Sequence, residues 1–260
     1  MTRTASPHPH QLDAIATIGG LLGIKTAGLL ARLEPLASAC GDDLVVIVPH
    51  GFDELTVATH VTRAQARPLC GAWLDALVGD RLRLEIGATS CTAYSDEAAL
   101  PAGAPAIVDP RGDGMGMDEL VALGTDGTTW TYALAQPHGD PTASAAAIAR
   151  NDRVAETMGV TPAQRRVGGN LQRSLARGLT SRVSVRARDG VVLPGLGLAW
   201  DRVEWLPIES MLAGFHPTPN RVEQLHRLAR AVGRDEATLE LVLGTQDPPA
   251  LRIAVRVAGP

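Results

Sequence analysis

Lysine is almost missing from this chain. Lys25 is the only one among 24 basic residues, so nearly all positive charge is arginine. A GC-rich coding composition is the simplest cause. Aromatic residues are scarce too: four Trp, two Tyr and two Phe, or 3% of the chain. So few rings exclude a stacking platform for single-stranded nucleic acid. Neither sign of charge is in large excess, with 28 acidic residues giving a formal net charge of −4. A general binder of nucleic acid or anionic membrane would need a basic surplus. The three cysteines, Cys40, Cys70 and Cys91, are scattered and odd in number. Without a CxxC pair they indicate neither a zinc cluster nor a disulfide framework. No apolar run approaches the ~20 residues of a membrane span. The opening MTRTASPHPHQLDAIATIGG lacks a basic region followed by a sustained apolar core, so it is not read as a signal peptide. P-loop, GxSxG and HExxH motifs are missing, and no two histidines show metal-ligand spacing. The expectation is a cytoplasmic protein with no nucleic-acid and no membrane partner.

What is present suffices for one domain over residues 1–260. A chain this long buries roughly 70–75% of its unfolded surface without a metal or disulfide staple. Residues 10–39 read as apolar helix, broken by Gly19-Gly20 and Pro35. DDLVVIVPHGFDELTVATHV reads as a hairpin, with strands Leu44–Val48 and Leu55–Val61. Thr62 can cap the following helix, which ends at Gly79. RLRLEIGAT alternates strictly, Arg81, Arg83 and Glu85 opposing Leu82, Leu84 and Ile86. Residues 92–116, rich in Pro, Gly and small side chains, read as a long loop or lid. A short helix is expected near Asp118–Leu123 and a strand over 128–137. Two helices follow, over 142–158 and from Thr161-Pro162 to about Arg177. After them come the strands of SRVSVRARDGVVLPGLGLAWDRVEW, a helix ending at Gly233, and a hairpin of Ala237–Leu243 with Leu251–Val257.

The stretch SRVSVRARDG puts Val183, Val185 and Ala187 on one face, and Arg182, Ser184, Arg186 and Arg188 on the other. Each strand thus offers one apolar and one polar face, while the helices carry amphipathic stripes. A helix ending in AWLDALVG before RLRLEIG resembles one ending in HRLARAVG before TLELVLG. These observations point to α+β architecture: an antiparallel sheet of repeated α-β-β-α units with helices on one side. If the sheet closes, the polar faces line a lumen; if it stays open, they meet solvent.

The order LLGIKTAGLLARLEPL into DDLVVIVPHGFDELTVATHV, then TTWTYALAQP, SRVSVRARDGVVLPGLGLAWDRVEW and ATLELVLGTQDPPALRIAV resembles the bacterial aromatic prenyltransferases of the ABBA fold. The resemblance spans most of the chain, though the chain reads as one repeat short. It implies a closed antiparallel β-barrel ringed by helices. It implies an allylic diphosphate donor and a small-molecule aromatic acceptor as partners, in secondary metabolism. No resident cofactor is expected, with magnesium left open. The departures matter. Trp130 and Glu236 stand where the family commonly has lysines, and Thr56 where it has aspartate.

For Arg182, Arg186 and Arg188, with Arg83 and Arg252, the choice is a solvated sheet face or a cradle for an anionic donor. Arginine suits phosphate because its planar fork donates two hydrogen bonds. Glu85 and Glu240 are candidate partners that would compete for these cations. Trp130, Tyr132, Trp200 and Trp205 lie in expected strands, as core packing or as the apolar wall of a pocket. His60 shares the polar face of its strand with Thr56 and Ala58, as a proton acceptor or a hydrogen-bonded histidine. Asp109, Asp113, Asp118 and Glu119 sit in a glycine-rich loop without EF-hand spacing. The alternatives to prenyl transfer are a related cyclase or isomerase without diphosphate chemistry, and a non-catalytic binding or scaffold protein with an open sheet.

Overall fold

Period-two alternation dictates strands, and the computed structural model shows where they pair. It describes residues 9–36, 44–49, 53–95, 120–135, 141–175, 179–189, 191–205, 208, 219–233, 236–245 and 249–257, to which all structural statements refer. The strands are β1 (Leu44–Pro49), β2 (Thr56–Thr62), β3 (Arg81–Ile86), β4 (Cys91–Ser95), β5 (Leu120–Thr125) and β6 (Thr129–Ala135). They continue with β7 (Leu179–Arg188), the two-residue β8 (Val191–Val192), β9 (Leu196–Glu204), β10 (Glu236–Leu243) and β11 (Ala250–Val257). The helices are α1 (Pro9–Leu22), α2 (Ala27–Leu33), α3 (Arg63–Cys70), α4 (Pro141–Thr157), α5 (Pro162–Ser174) and α6 (Pro219–Val232).

The sheet runs β6-β5-β4-β3-β2-β1-β11-β10-β9-β7 and then returns, because β7 also pairs with β6. Thr131 faces Arg186 and Ala133 faces Ser184 across that last antiparallel seam. Ten strands therefore close into a barrel, and the short β8 pairs with the end of β7 on the edge that β9 covers earlier in the strand. Closure removes the open-sheet alternative, and with it every exposed edge of the ring.

Strand parity sorts side chains into two environments. Leu82, Leu84 and Ile86 of β3, Leu239 and Leu241 of β10, and Ile253 and Val255 of β11 point outward and are fully buried. The helices cover them. α6 packs on β11 and on α1, α5 on β10, α2 on β3, and α3 on β2, β3 and β4. The main hydrophobic core is therefore the layer between barrel and helices. Among the described residues, no helix is long and apolar enough to cross a membrane.

Helix starts follow the caps. Thr62 accepts from the Gln65 amide while its own N–H donates to Gln65 Oε1 at 2.8 Å, a capping box. Thr161 caps α5, with Pro162 at its first position.

Three expectations shift. The first break in the N-terminal helix falls at Gly23, at φ 71, not at Gly19-Gly20. Gly19 lies inside α1 because the chain passes close by: a Cβ there would stand 2.3 Å from Thr26 Cγ2. Residues expected as a short helix near 118–123 form β5 from Leu120, since pairing with both β4 and β6 outweighs local propensity. Residues 92–95, expected in the long loop, belong to β4, where Thr92 and Tyr94 alternate with Ala93 and Ser95. Residues 96–116, with Asp109 and Asp113, lie outside the described residues, as do Asp118 and Glu119.

α3 passes at Gly71 into a 3-10 turn, Gly71–Ala76, which Arg63 ties back to the start of α3. Its guanidinium donates to the carbonyls of Leu74, Leu77 and Gly79, the Leu77 contact being 2.8 Å. Arg63→Met keeps the apolar stem but strands three acceptors. It is expected to lower unfolding stability by about 2–3 kcal/mol, read from urea denaturation.

Candidate ligand chamber

The polar faces all turn inward. Parity on β3 sends Arg83 and Glu85 into the lumen; β10 contributes Thr238 and Glu240, and β11 contributes Arg252 and Ala254. Small side chains keep the interior open: Ala122, Ala133, Ala199, Thr131 and Ser184 line it. Two glycines permit close approaches. A Cβ on Gly124 would stand 2.3 Å from the Tyr94 ring, and one on Gly197 would stand 2.1 Å from Ser184 Oγ. Tyr94 therefore lies flat over β5.

The space falls into two connected parts. An inner chamber of about 70 Å³ includes Ile47, Arg83, Arg182 and Ala254 in its lining. Toward one end it opens into a mouth of about 340 Å³, walled by Thr92, Asp126, Thr129, Arg186, Arg188 and Gly195. Glu85, Tyr94, Thr131, Ser184, Glu240 and Arg252 border both. Small-ligand sites measure roughly 300–1,000 Å³, so the mouth is ligand-sized and the chamber beneath it is not.

A ladder of charges crosses the lumen. Arg252 Nη1 donates to Glu240 Oε2 at 2.8 Å, on the directly paired strand. Its Nη2 reaches past β1 and β2 to Glu85 Oε2 at 3.0 Å. Glu85 Oε1 in turn accepts from Arg83 Nη2 at 2.9 Å. Arg83 lies over the Tyr94 ring, 5.7 Å from its centroid. Burial opposes the charge on Glu85, but Arg252 and Arg83 outweigh it and hold the carboxyl below its usual range. Burial likewise opposes the Arg252 charge, and Glu240 and Glu85 more than restore it. Burial first, then Glu85 and Glu240, push the Tyr94 phenol well up, so it stays a neutral donor.

At the mouth, Asp126 caps the β5–β6 turn. Its Oδ1 accepts from the Thr128 and Thr129 amides at 2.9 and 2.8 Å. Burial opposes this carboxylate's charge, and the two amide donors win, lowering its pKa. Arg188 Nη2 donates to Thr129 Oγ1 at 3.1 Å across the closing seam.

All five arginines singled out from the sequence line these two spaces. Arg83, Arg182 and Arg252 are half-buried, whereas Arg186 and Arg188 are exposed at the mouth. Arg83 and Arg252 are held by glutamates; Arg182 and Arg186 have no carboxylate within ion-pair distance among the described residues. The four expected wall aromatics lie elsewhere. Trp130 and Tyr132 flank Thr131 on β6 and so point outward, Trp130 against the core and Tyr132 fully buried. Trp200 follows lumen-facing Ala199 and is fully buried on the helix side; Trp205 joins the same core past the end of β9. Burial pushes the Tyr132 phenol to about 12. His60 pairs with Arg83 in register on the inward face of β2, outside the linings of both spaces. Sequence reasoning missed Tyr94, the aromatic that does lie inside. Its place in an alternating Thr92–Tyr94 pair was the available signal, masked by the small-residue run after it. Among the described residues, no cluster of three His, Cys, Asp or Glu side chains could hold a metal.

The fold is similar to a solved 5-dimethylallyltryptophan synthase from Streptomyces coelicolor, with a TM-score of 0.59 at 15% identity over 97% of each chain. The likeness shows the ABBA-barrel architecture alone, and near-complete coverage of both chains replaces the expectation of a trimmed repeat. No protein-family model matches the chain, and no curated protein matches it in sequence.

Arg252→Met should leave Glu240 without its ion-pair partner and Glu85 held by Arg83 alone, and lower stability by about 3 kcal/mol; Glu85→Gln with Glu240→Gln in the same chain should recover most of it. Glu85's lowered carboxyl adds stability that is complete above its unfolded value of ~4.3 and is lost as pH falls through the folded one. Denaturation curves should therefore separate wild type from Glu85→Gln at pH 7 and bring them together toward pH 3.

Proposed function

We propose that the barrel is a small-molecule enzyme that transfers an allylic group from a diphosphate donor to an aromatic acceptor. The carrying observation is the arginine surplus inside a closed barrel. Arg83, Arg182, Arg186, Arg188 and Arg252 face Glu85, Glu240 and Asp126, and Arg182 and Arg186 have no ion-pair carboxylate among the described residues. Arg182 is half-buried with only the already engaged Glu85 acting on it, and Arg186 and Arg188 stand exposed at the mouth, so a multiply charged anion entering there would meet cations not yet neutralised. The solved structure of similar fold is a dimethylallyltryptophan synthase, which supports the same chemistry.

In this reading the diphosphate occupies the mouth, where Arg186 and Arg188 meet it. The allylic chain points inward over Tyr94. The C–O bond breaks and the electron pair leaves with diphosphate. An aromatic carbon attacks the exposed cation in the space that Tyr94 borders. The proton displaced from the ring passes to the released diphosphate or to water at the mouth, since His60 lies outside the linings of both spaces. Magnesium would act on the diphosphate, beside arginines rather than in a carboxylate cage.

A second reading rests on the charge ladder. Arg83 and Arg252 are already engaged by Glu85 and Glu240. A cyclase or isomerase using the glutamates as bases beside the neutral Tyr94 phenol would need no diphosphate. Calorimetry separates the two. Dimethylallyl or geranyl diphosphate should bind wild type, and Arg186→Glu should weaken that binding by about 100-fold or more. If wild type binds no allylic diphosphate, prenyl transfer fails.

A further inference from the structure

Cys70 closes α3 and Cys91 opens β4, 21 positions apart in the chain, yet their sulfurs stand 3.3 Å apart. Both are free thiols, Cys70 buried and Cys91 half-buried. Their supports are independent of each other. α3 is fixed by the Thr62 capping box at its start and by Arg63. The turn leading into β4 is fixed by Arg32, which donates to Gly87 O at 2.8 Å and Ser90 O at 2.6 Å. The same turn closes through Gly87 N to Ser90 O at 3.0 Å. The spacing in sequence concealed a pairing that the fold imposes.

We propose that Cys70 and Cys91 form a reversible thiol–disulfide couple, closed by a small disulfide such as oxidised glutathione, that staples α3 to the strand bordering the mouth. Covalent closure asks the sulfurs to approach from 3.3 Å to the ~2.05 Å of a disulfide. The two thiols have different characters. The hydrogen bond from Cys70 favours the Cys91 thiolate, and although burial resists, the Arg32 charge adds to that stabilisation. The same hydrogen bond, with burial, keeps Cys70 protonated. Cys91 is thus the attacking sulfur and Cys70 the resolving one.

The chemistry balances in two exchanges. Cys91 thiolate attacks one sulfur of oxidised glutathione; that S–S bond breaks, and one glutathione leaves as its thiolate. Cys70 then gives its proton to solvent and attacks Cys91 Sγ. The mixed disulfide breaks and releases the second glutathione. The protein loses two electrons and two protons, and one glutathione disulfide becomes two thiols. Among the described residues no third metal-ligating side chain joins the pair, so a thiolate metal site is not the alternative.

The staple lies beside the chamber without belonging to it. Thr92, the next residue after Cys91, walls the mouth, while Cys91 itself points to the helix side. The couple is independent of the proposed transfer reaction and is tested without it. The full chain is incubated at pH 8 with oxidised or reduced glutathione, trapped with an alkylating agent, digested and mapped by mass. Oxidation should yield a peptide linking Cys70 to Cys91. It should raise the melting temperature by about 5–10 °C, reversibly with dithiothreitol. Cys40, outside the described residues, is replaced in a Cys40→Ser variant that should behave identically. Cys91→Ser should abolish both changes; if that variant fails to fold, mapping of Cys40→Ser decides alone. Single glutathione adducts without the Cys70–Cys91 link, or links only through Cys40, would overturn the proposal.

Discussion

The pairing of β6 with β7 is the contact on which everything else rests. Without it, ten strands would make a twisted sheet with wet arginines. With it, the inward side chains away from the mouth, Arg83, Glu85 and Arg252 among them, lose free access to water and must find a partner, a void or a ligand. The seam carries residues that matter at both ends. Thr129 takes Arg188 at the mouth, and Ala133 keeps the inner chamber empty. The position of charge follows from this closure rather than from any local sequence signal.

Inside, three kinds of residue share the volume. Alanines, a serine and two glycines make room. Tyr94 takes part of that room back, flat over Gly124. The Arg83–Glu85–Arg252–Glu240 ladder spans the remainder and neutralises itself. The surplus cations, Arg182 and Arg186, sit on the two sides of this ladder, one in the inner chamber and one in the mouth. A ladder that joins β3 to β11 across the lumen also restrains the barrel against flattening. Its removal would therefore alter shape as well as charge.

Much of the barrel could be read from alternation. RLRLEIG, TLELVLG and SRVSVRAR each display an apolar and a polar face, and those strands lie where the pattern put them. That the arginines share one strand face was legible for the same reason; that this face turns inward was not, because it depends on the β6–β7 closure. Other features were hidden for identifiable causes. β5 carries LVALGT, apolar on both faces, so period alone could not separate it from a helix. Residue type left the aromatic side chains open between core packing and a pocket wall, whereas parity against Thr131 and Ala199 decides their side. The Cys70–Cys91 approach depends on α3 folding back over β4, which no spacing rule reports.

The outward placement of the indoles has a practical consequence. Trp130, Trp200 and Trp205 all belong to the layer beneath the helices, and Trp73 packs at its margin, beside the β5–β6 turn. Their ultraviolet emission should follow the docking of helices onto strands and be nearly blind to whatever fills the barrel. A titration followed by intrinsic fluorescence would then stay flat even for a tightly held guest, while the lone interior phenol of Tyr94 would sense it.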